Sequence, residues 1–466
     1  MRTRSGNKAV WAAIGLAAIL ALTAGRPMAQ SSAEQIRIKG SNTVGAGLMP
    51  ALIEGFVRSK GWRYQPAADE TKARLAALAL DGGRTAFAVT LERLGSSTSF
   101  KGLIDGSADI GMSSRPIKDK EADALNKDGV DMRDENSEHV VALDGLAIIV
   151  SEFNPMLTIT PEEIAKVFSG EITNWSELGQ TPRPIVLHAR DDASGTFDTF
   201  KSLALKPFKK KISKDAFRYF SNAEIATKVS ADPNAIGFVP LAFVLGVKQL
   251  SLSLECGLIV TPDEFVVKSE EYPLGRRLHL YTKGPPKTAL QRELIAFAKS
   301  DAAQRLVEEA SFVNQLLAVQ GPDAFSDHML SAMGAAGSAE EQRSLKRLFQ
   351  FSGDSDRLSL TFRFAPGQED ILQAKSVADA ARLIRWMAEN KKAKVQLMGF
   401  GGDEKTARLR AEAARRAILI HAEPGFQANR LETYGFGDVA PVACKPKPGE
   451  PDRNDRVEVW VSGWRG

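Results

Sequence analysis

Apolar and polar positions follow two rhythms along the chain. From Ile36 to about residue 320, short β-like runs (Ile36–Lys39, Phe87–Leu91, Leu146–Val150, Pro184–Ala189, Ala235–Val239) alternate with stretches that have the i, i+3, i+4 apolar spacing of amphipathic helices. Strands that alternate with helices predict α/β layers around largely parallel sheets. Between Gly321 and Asp356 the chain turns rich in Ser, Ala, Gly and charge, which predicts a linker over 321–356, with a helix around Glu340–Phe349. The tail then reads strand (Leu358–Phe364), helix (Ser376–Glu389), strand (Lys394–Gly399), helix (Lys405–His421), strand (Leu431–Gly435), strand (Arg456–Val461). That order describes a compact α+β sandwich over 357–466, separate from an α/β module over 30–320.

At 466 residues the chain exceeds one ordinary domain, in keeping with two modules. Arg2, Arg4 and Lys8 precede an apolar run from Ala9 to Leu22 and small residues near Ala29. This is the layout of a secretory signal peptide over 1–29, the alternative being an uncleaved membrane anchor. The leader changes what the charge means. The formal net charge is +4 and residues 1–29 hold Arg2, Arg4, Lys8 and Arg26 with no acid, so removing those four charges leaves the remainder at 0. A neutral remainder gives no electrostatic basis for nucleic-acid binding. Past the leader no apolar run nears the roughly 20 residues that span a bilayer. No Cys stands directly after the leader, which excludes lipid attachment at a new N-terminal Cys. Only Cys256 and Cys444 are present, either paired or two separate buried thiols, and the five histidines are scattered, so no metal or cofactor is expected.

Three Ser/Thr/Gly segments each follow a strand-like run and open a helix-like one. They are Gly40-Ser41-Asn42-Thr43-Val44, Gly95-Ser96-Ser97-Thr98-Ser99 and Ser194-Gly195-Thr196. Helix N-termini present unpaired N–H groups and partial positive charge, and small hydroxyl residues add donors while letting an anion approach. Each segment alone is what ordinary N-capping produces. Together with Arg190, whose guanidinium can fork onto an anion, they predict an oxyanion site, with Asp192 orienting Arg190.

The run Arg190-Asp191-Asp192-Ala193-Ser194-Gly195-Thr196 resembles the Arg-x-Asp-x-Ser-Gly-Thr element of the phosphate-binding proteins of ABC importers. Phe168-Ser169-Gly170-Glu171-Ile172-Thr173-Asn174-Trp175, Ala108-Asp109-Ile110-Gly111-Met112-Ser113-Ser114-Arg115-Pro116 and Ala235-Ile236-Gly237-Phe238-Val239 are similar to other landmarks of that family. The resemblance covers roughly residues 36–320. It implies a two-lobed periplasmic binding protein fold of type II, with the chain crossing between lobes twice and the ligand in the cleft. By motif the phosphate ligands are the N–H groups of Thr43 and Val44, together with Ser96, Ser97, Arg190, Ser194, Gly195 and Thr196. Ser114 is either a ligand or a turn residue between the lobes. The family carries an Asp after Gly-x-Ser that accepts the proton of hydrogen phosphate and repels sulfate; this chain has Ser114 and Arg115 there, which puts that selectivity in doubt.

In the tail, Leu358–Phe364, Val395–Phe400, Tyr434-Gly435-Phe436-Gly437 before Pro441, and Asn454–Val459 resemble the C-terminal domain of the OmpA family. In that family a loop Asp and a helix Arg clamp the charged end of diaminopimelate in peptidoglycan. Here Gly402 stands where the Asp is expected, with Asp403 next to it, and Arg410 of Arg410-Ala411 is the best-matched helix residue, with Arg415 and Arg416 as alternatives.

The expectation is therefore a non-enzymatic receptor for phosphate or a similar oxyanion in the periplasm or cell envelope. It captures or senses its ligand, with the permease of an ABC importer and peptidoglycan as partners and the outer membrane as a further association. The alternative is an envelope-structural protein whose receptor half binds another oxyanion or a partner.

Overall fold

The computed structural model describes residues 33–66, 74–126, 129–323, 338–364, 374–446 and 452–465. The leader expected over 1–29 lies outside them. Among the described residues no helix is long and apolar enough to cross a membrane.

One sheet system runs through both lobes of the α/β module. Lobe 1 contributes β1 (Glu34–Gly40), β2 (Arg63–Pro66), β3 (Arg74–Asp81), β4 (Arg84–Glu92) and β5 (Ile110–Ser113), with β1 parallel to both β4 and β5. The chain then enters β6 (Glu138–Val150), a 13-residue strand buried along nearly all its length, which is why it reads as a continuous apolar run. Lobe 2 holds β7 (Thr158–Ile159), β8 (Val186–Arg190), β9 (Phe217–Tyr219), β10 (Ala235–Pro240), β11 (Lys248–Ser253) and β12 (Ile259–Val260). The chain returns through β13 (Gly275–Tyr281), which pairs antiparallel with β5 on one side and with the first half of β6 on the other. The second half of β6 pairs with β10 and β11. Strands β6 and β13 are thus the two passages between lobes. Each lobe closes its own core: Ile36, Leu52, Phe56, Phe87 and Leu294 in lobe 1, and Ile148, Phe168, Trp175, Phe200 and Phe238 in lobe 2.

The tail is a five-stranded sheet in the order β14 (Val319–Gln320), β15 (Asp356–Arg363), β18 (Arg456–Ser462), β16 (Lys394–Phe400), β17 (Leu431–Gly435). Helices Ala374–Glu389 and Glu404–Ile420 cover one face through Leu383, Ala411, Ala414 and Ile418 against Val395, Leu397, Val457 and Val459. Helix Ala339–Gly353 covers the other, seating Leu345 and Leu348 on Met398, Phe400 and Trp460. These opposite parities on β16 and β18 are the two faces of one pleat.

Two boundaries read from the sequence are corrected. The first module does not end before the tail begins, because β14 pairs with β15 ahead of residue 321. The described part of the 321–356 segment is not a linker. Ser338 and Glu341 form a capping box that starts a helix, and the spacing of Leu345, Leu348 and Ser352 buries one side of it. Residues 324–337 lie outside the description.

The tail is also fastened to lobe 2. Cys256 and Cys444 form a disulfide, which settles the pairing the sequence left open. The buried Arg357 guanidinium pairs with Glu271 and, at 3.1 Å, with Glu458, while Arg363 donates to the carbonyls of Ser269 and Glu270. Towards lobe 1 Arg385 pairs with Asp301 at 3.3 Å, exposed at both ends.

Candidate oxyanion site

Three chain reversals bring the predicted segments together. Strand β1 ends at Gly40, whose φ of 143° and approach to Met112 leave no room for a side chain: a Cβ would stand 2.0 Å from the Met112 carbonyl oxygen. This tight passage feeds Thr43 and Val44 into the first turn of a helical segment that continues through Met49–Ser59. Gly95, at φ 103°, performs the same service for helix Ser96–Asp105, and its Cβ position lies 2.1 Å from the carbonyl oxygen of Ala193 in lobe 2. The third reversal is Ser194, whose Oγ accepts from the N–H groups of Thr196 and Phe197 and caps helix Gly195–Phe200.

The segments meet across the lobes. Thr43 Oγ1 is 2.8 Å from Thr196 Oγ1. A Cβ on Gly195 would fall 2.0 Å from Ser96 Oγ and 2.5 Å from Ser114 Oγ, so both hydroxyls abut the Gly195 backbone. Ser96 Oγ also accepts from the Ser114 N–H at 3.1 Å. Thr43, Ser96, Ser114, Ser194, Gly195 and Thr196 are therefore gathered at one point, all buried. Val44 N–H sits 3.4 Å from Ser41 Oγ within its own turn. Ser97 lies at the margin, its Oγ accepting from Arg115 at 3.4 Å.

Arg190 ends β8 with 1% of its surface exposed. Nη1 donates to Asn222 Oδ1 at 2.6 Å and Nε to the Tyr219 carbonyl at 3.2 Å. Burial pulls this guanidinium down to about 10; Asp191 opposes that pull, and the neighbouring positive charge of Arg276 adds to it. An arriving anion relieves both unfavourable effects, since it supplies the counter-charge that burial has withheld.

The expected partner of Arg190 is corrected. Asp192 is 84% exposed at its side chain and accepts from Arg218 at 2.7 Å. The carboxylate that faces Arg190 is Asp191, with Oδ2 3.6 Å from Nη2, because the turn after β8 bends one residue earlier: Asp191 Oδ1 caps the N–H of Ala193. Arg115, next to the Ser114 that stands where the family's acid is expected, forks onto Glu121 at 2.7 Å and reaches Asp198 of lobe 2 at 3.0 Å.

Sequence reading missed Asn222, Arg276 and Asp144. Asn222 Nδ2 donates to Thr43 Oγ1 at 3.3 Å, and Arg276 Nη1 to Thr196 Oγ1 at 3.2 Å. Arg276 is held by Asp144 Oδ2 at 2.7 and 2.9 Å, the two residues facing each other on β13 and β6. Burial pushes the Asp144 carboxyl up and the Arg276 guanidinium down, and each partner's charge opposes the other's shift. The one available signal was an acid, Asp144, inside the apolar run of β6. Among the described residues no three His, Cys, Asp or Glu side chains gather as a metal site.

In the tail, Asp403 and Arg410 are not brought into direct contact. Asp403 caps helix Glu404–Ile420 through the Thr406 N–H, while Arg410 pairs with Asp455 at 2.8 Å and donates to the carbonyls of Phe400 and Gly401. The proposed clamp is thereby altered: the acid facing Arg410 comes from the Asn454-Asp455-Arg456 element.

Residues 65–303 match a family model described as the PBP superfamily domain. The phosphate-binding protein PstS of Borreliella burgdorferi is 29% identical over 230 residues, 48% of this chain and 79% of the relative. PstS of Bacillus subtilis is 32% identical over 216 residues, 46% of this chain and 66% of the relative. Among solved structures, an ABC-type phosphate transport receptor from Vibrio cholerae is 26% identical with a TM-score of 0.45, covering 60% of this chain and 99% of its own.

Proposed function

The chain belongs to the PBP superfamily, and on that premise we propose that it is a receptor for a tetrahedral oxyanion, phosphate foremost, acting in the cell envelope as the capturing component of an ABC importer or as a sensor. The observation that carries this reading is the meeting of Thr43 and Thr196 across the lobes beside the buried Arg190. Three helix starts and one guanidinium converge there, and a tetrahedral anion offers oxygens in as many directions. Relatives named as phosphate-binding proteins support phosphate in particular. Binding rather than catalysis fits Ser194, whose hydroxyl is spent as a helix cap.

Calorimetric titration of the mature chain with phosphate, sulfate and arsenate tests this. Phosphate should bind, and sulfate should be rejected less strongly than by relatives that carry the acid, because Ser114 and Arg115 replace it. No heat from any of the three anions would leave the envelope-structural reading in its place.

We infer further that the tail anchors the receptor to peptidoglycan through Asp403 and Arg410, with Asp455 as the counter-charge that a zwitterionic diaminopimelate end must exchange with or bridge. The observed β-α-β-α-β-β order and the Arg410–Asp455 pair support this. The full mature chain should co-sediment with purified peptidoglycan, and Asp403→Ala and Arg410→Ala should each release it. A wild-type chain that stays in the supernatant ends the anchoring idea.

A further inference from the structure

Outside the cradle, a carboxylate of lobe 2 is gripped from lobe 1. Asp198 lies in helix Gly195–Phe200, two residues after Thr196, and its side chain is 17% exposed. Arg115 Nε donates to its Oδ2 at 3.0 Å and Lys118 Nζ to the same oxygen at 2.8 Å. Among the described residues no side chain of its own lobe meets this carboxylate. Arg115 is the opposite case. Its guanidinium forks onto Glu121 through Nη1 at 2.8 Å and Nη2 at 2.7 Å, donates to the Pro116 carbonyl at 3.0 Å and lies over the Phe100 ring at 5.0 Å, all within lobe 1. Those contacts survive a parting of the lobes, and the contact with Asp198 does not.

We propose that Arg115 and Lys118 form a latch for Asp198, so that part of the receptor's affinity for any oxyanion is generated outside the cradle, by charges of the protein itself. The inference rests on the oxyanion reading above and deepens it, by separating what holds the lobes together from what chooses the anion. Arg115 is 5% exposed at its side chain and already fixed by Glu121. It therefore gives up little freedom on taking Asp198, and solvent and salt screen the pair less than they would a pair at the surface. Charge acts in the same direction. With the lobes apart, Asp198 stands uncompensated two residues from Thr196 and disfavours an incoming anion; closure neutralises it as the anion is enclosed. The apparent affinity of a ligand scales with the fraction of the chain in its binding-competent state. The latch raises that fraction by the same factor for every anion.

The test uses the full mature chain and whichever of phosphate, sulfate and arsenate the wild type binds, with affinities from calorimetry, capture and release rates from stopped flow, and the melting temperature of the ligand-free chain as the check on folding. Asp198→Asn removes the charge and keeps the shape. All affinities should fall by one common factor, about 5- to 150-fold, the usual span of a coupling between two sites. The loss should appear as faster release, with capture little changed, because the latch acts after the anion has arrived. If Asp198→Asn melts early, Lys118→Met decides in its place, at a side chain 52% exposed. Its common fall should be about 2- to 5-fold, the upper part of what a half-exposed ion pair contributes. Wild-type affinity in the deciding variant overturns the latch. So does a loss that differs between anions or is carried by slower capture, which would place Asp198 in anion recognition. A wild-type chain that binds none of the three overturns the oxyanion reading, and the latch with it.

Discussion

Thr43 Oγ1 and Thr196 Oγ1 lie 2.8 Å apart although 153 residues separate them in the chain. One belongs to lobe 1 and the other to lobe 2, so their contact exists only when the lobes are shut over the site. An anion that touches both hydroxyls is therefore enclosed by the closure of the lobes.

The first prediction concerns Arg190. Its guanidinium is buried beside Asn222 and Asp191, and an anion completes its coordination. Arg190→Ala should weaken phosphate binding by about 2–5 kcal/mol, the range for truncating one side of a buried charged pair. Thr196→Ala removes a single hydroxyl donor and should cost less, about 1.5–3 kcal/mol. Titration calorimetry reads both; wild-type affinity in Arg190→Ala would remove the site from β8.

The Cys256–Cys444 bond closes a loop across a sequence separation of 188 residues. Cys256→Ser and Cys444→Ser should each lower stability by about 2–4 kcal/mol. The double variant should fall no further than either single one, since both remove the same bond. Denaturant unfolding with and without reductant checks this, and a wild-type midpoint indifferent to reductant would contradict it.

Helix Ala339–Gly353 is part of the tail's core, not a tether. Leu348→Ala should therefore destabilise the protein by about 2–5 kcal/mol, the cost of a cavity in packed apolar surroundings. Amides around Leu345 and Leu348 should exchange with solvent as slowly as those of β16. Exchange at the rate of an unfolded peptide would return this segment to the status of a linker.

Acid should unfold the chain through two histidines. Burial holds both His139 and His279 down at about 3, against an ordinary value of 6.5. Each is neutral when folded and gains a proton on unfolding. Their contribution is fully present above about pH 6.5 and is lost as pH falls from there towards 3, at up to about 1.4 kcal/mol per pH unit for each. Glu458, held down at about 2 mainly by Arg357 and Arg456 against its burial, acts in the same direction but only below its ordinary 4.5. Between about pH 7 and pH 5 the histidines therefore dominate. Urea midpoints over that range should fall steeply in wild type and less in His139→Gln.

How much of this was legible in the sequence follows the distance over which each feature is written. Ser194, Gly195 and Thr196 form one local turn with Arg190 just before it, and short-range spacing was enough to place them. The tail's six elements were legible because each is long and periodic. Asn222 and Arg276 reach the cradle over separations of 179 and 80 residues, and nothing in their local sequence marks them. Strand β14 has two residues, too few to show a period; the helix around Glu340–Phe349 was legible, but its narrow apolar side, set among charged residues, hid that it packs on the tail's sheet. Asp192 looked like the partner of Arg190 by spacing, but the turn geometry handed that place to Asp191.

The fastening of the tail has a mechanical meaning. A disulfide, the buried Arg357–Glu271 pair and the Arg363 bonds all end on lobe 2, whereas Arg385–Asp301, an ion pair towards lobe 1, is exposed. The tail and lobe 2 are in effect the handle and the fixed jaw of a pair of pliers. Load applied to the handle reaches the fixed jaw through these side-chain ties, whereas lobe 1, the half that carries Thr43 and Ser96, meets the tail through the main chain that runs from Phe312 into β14.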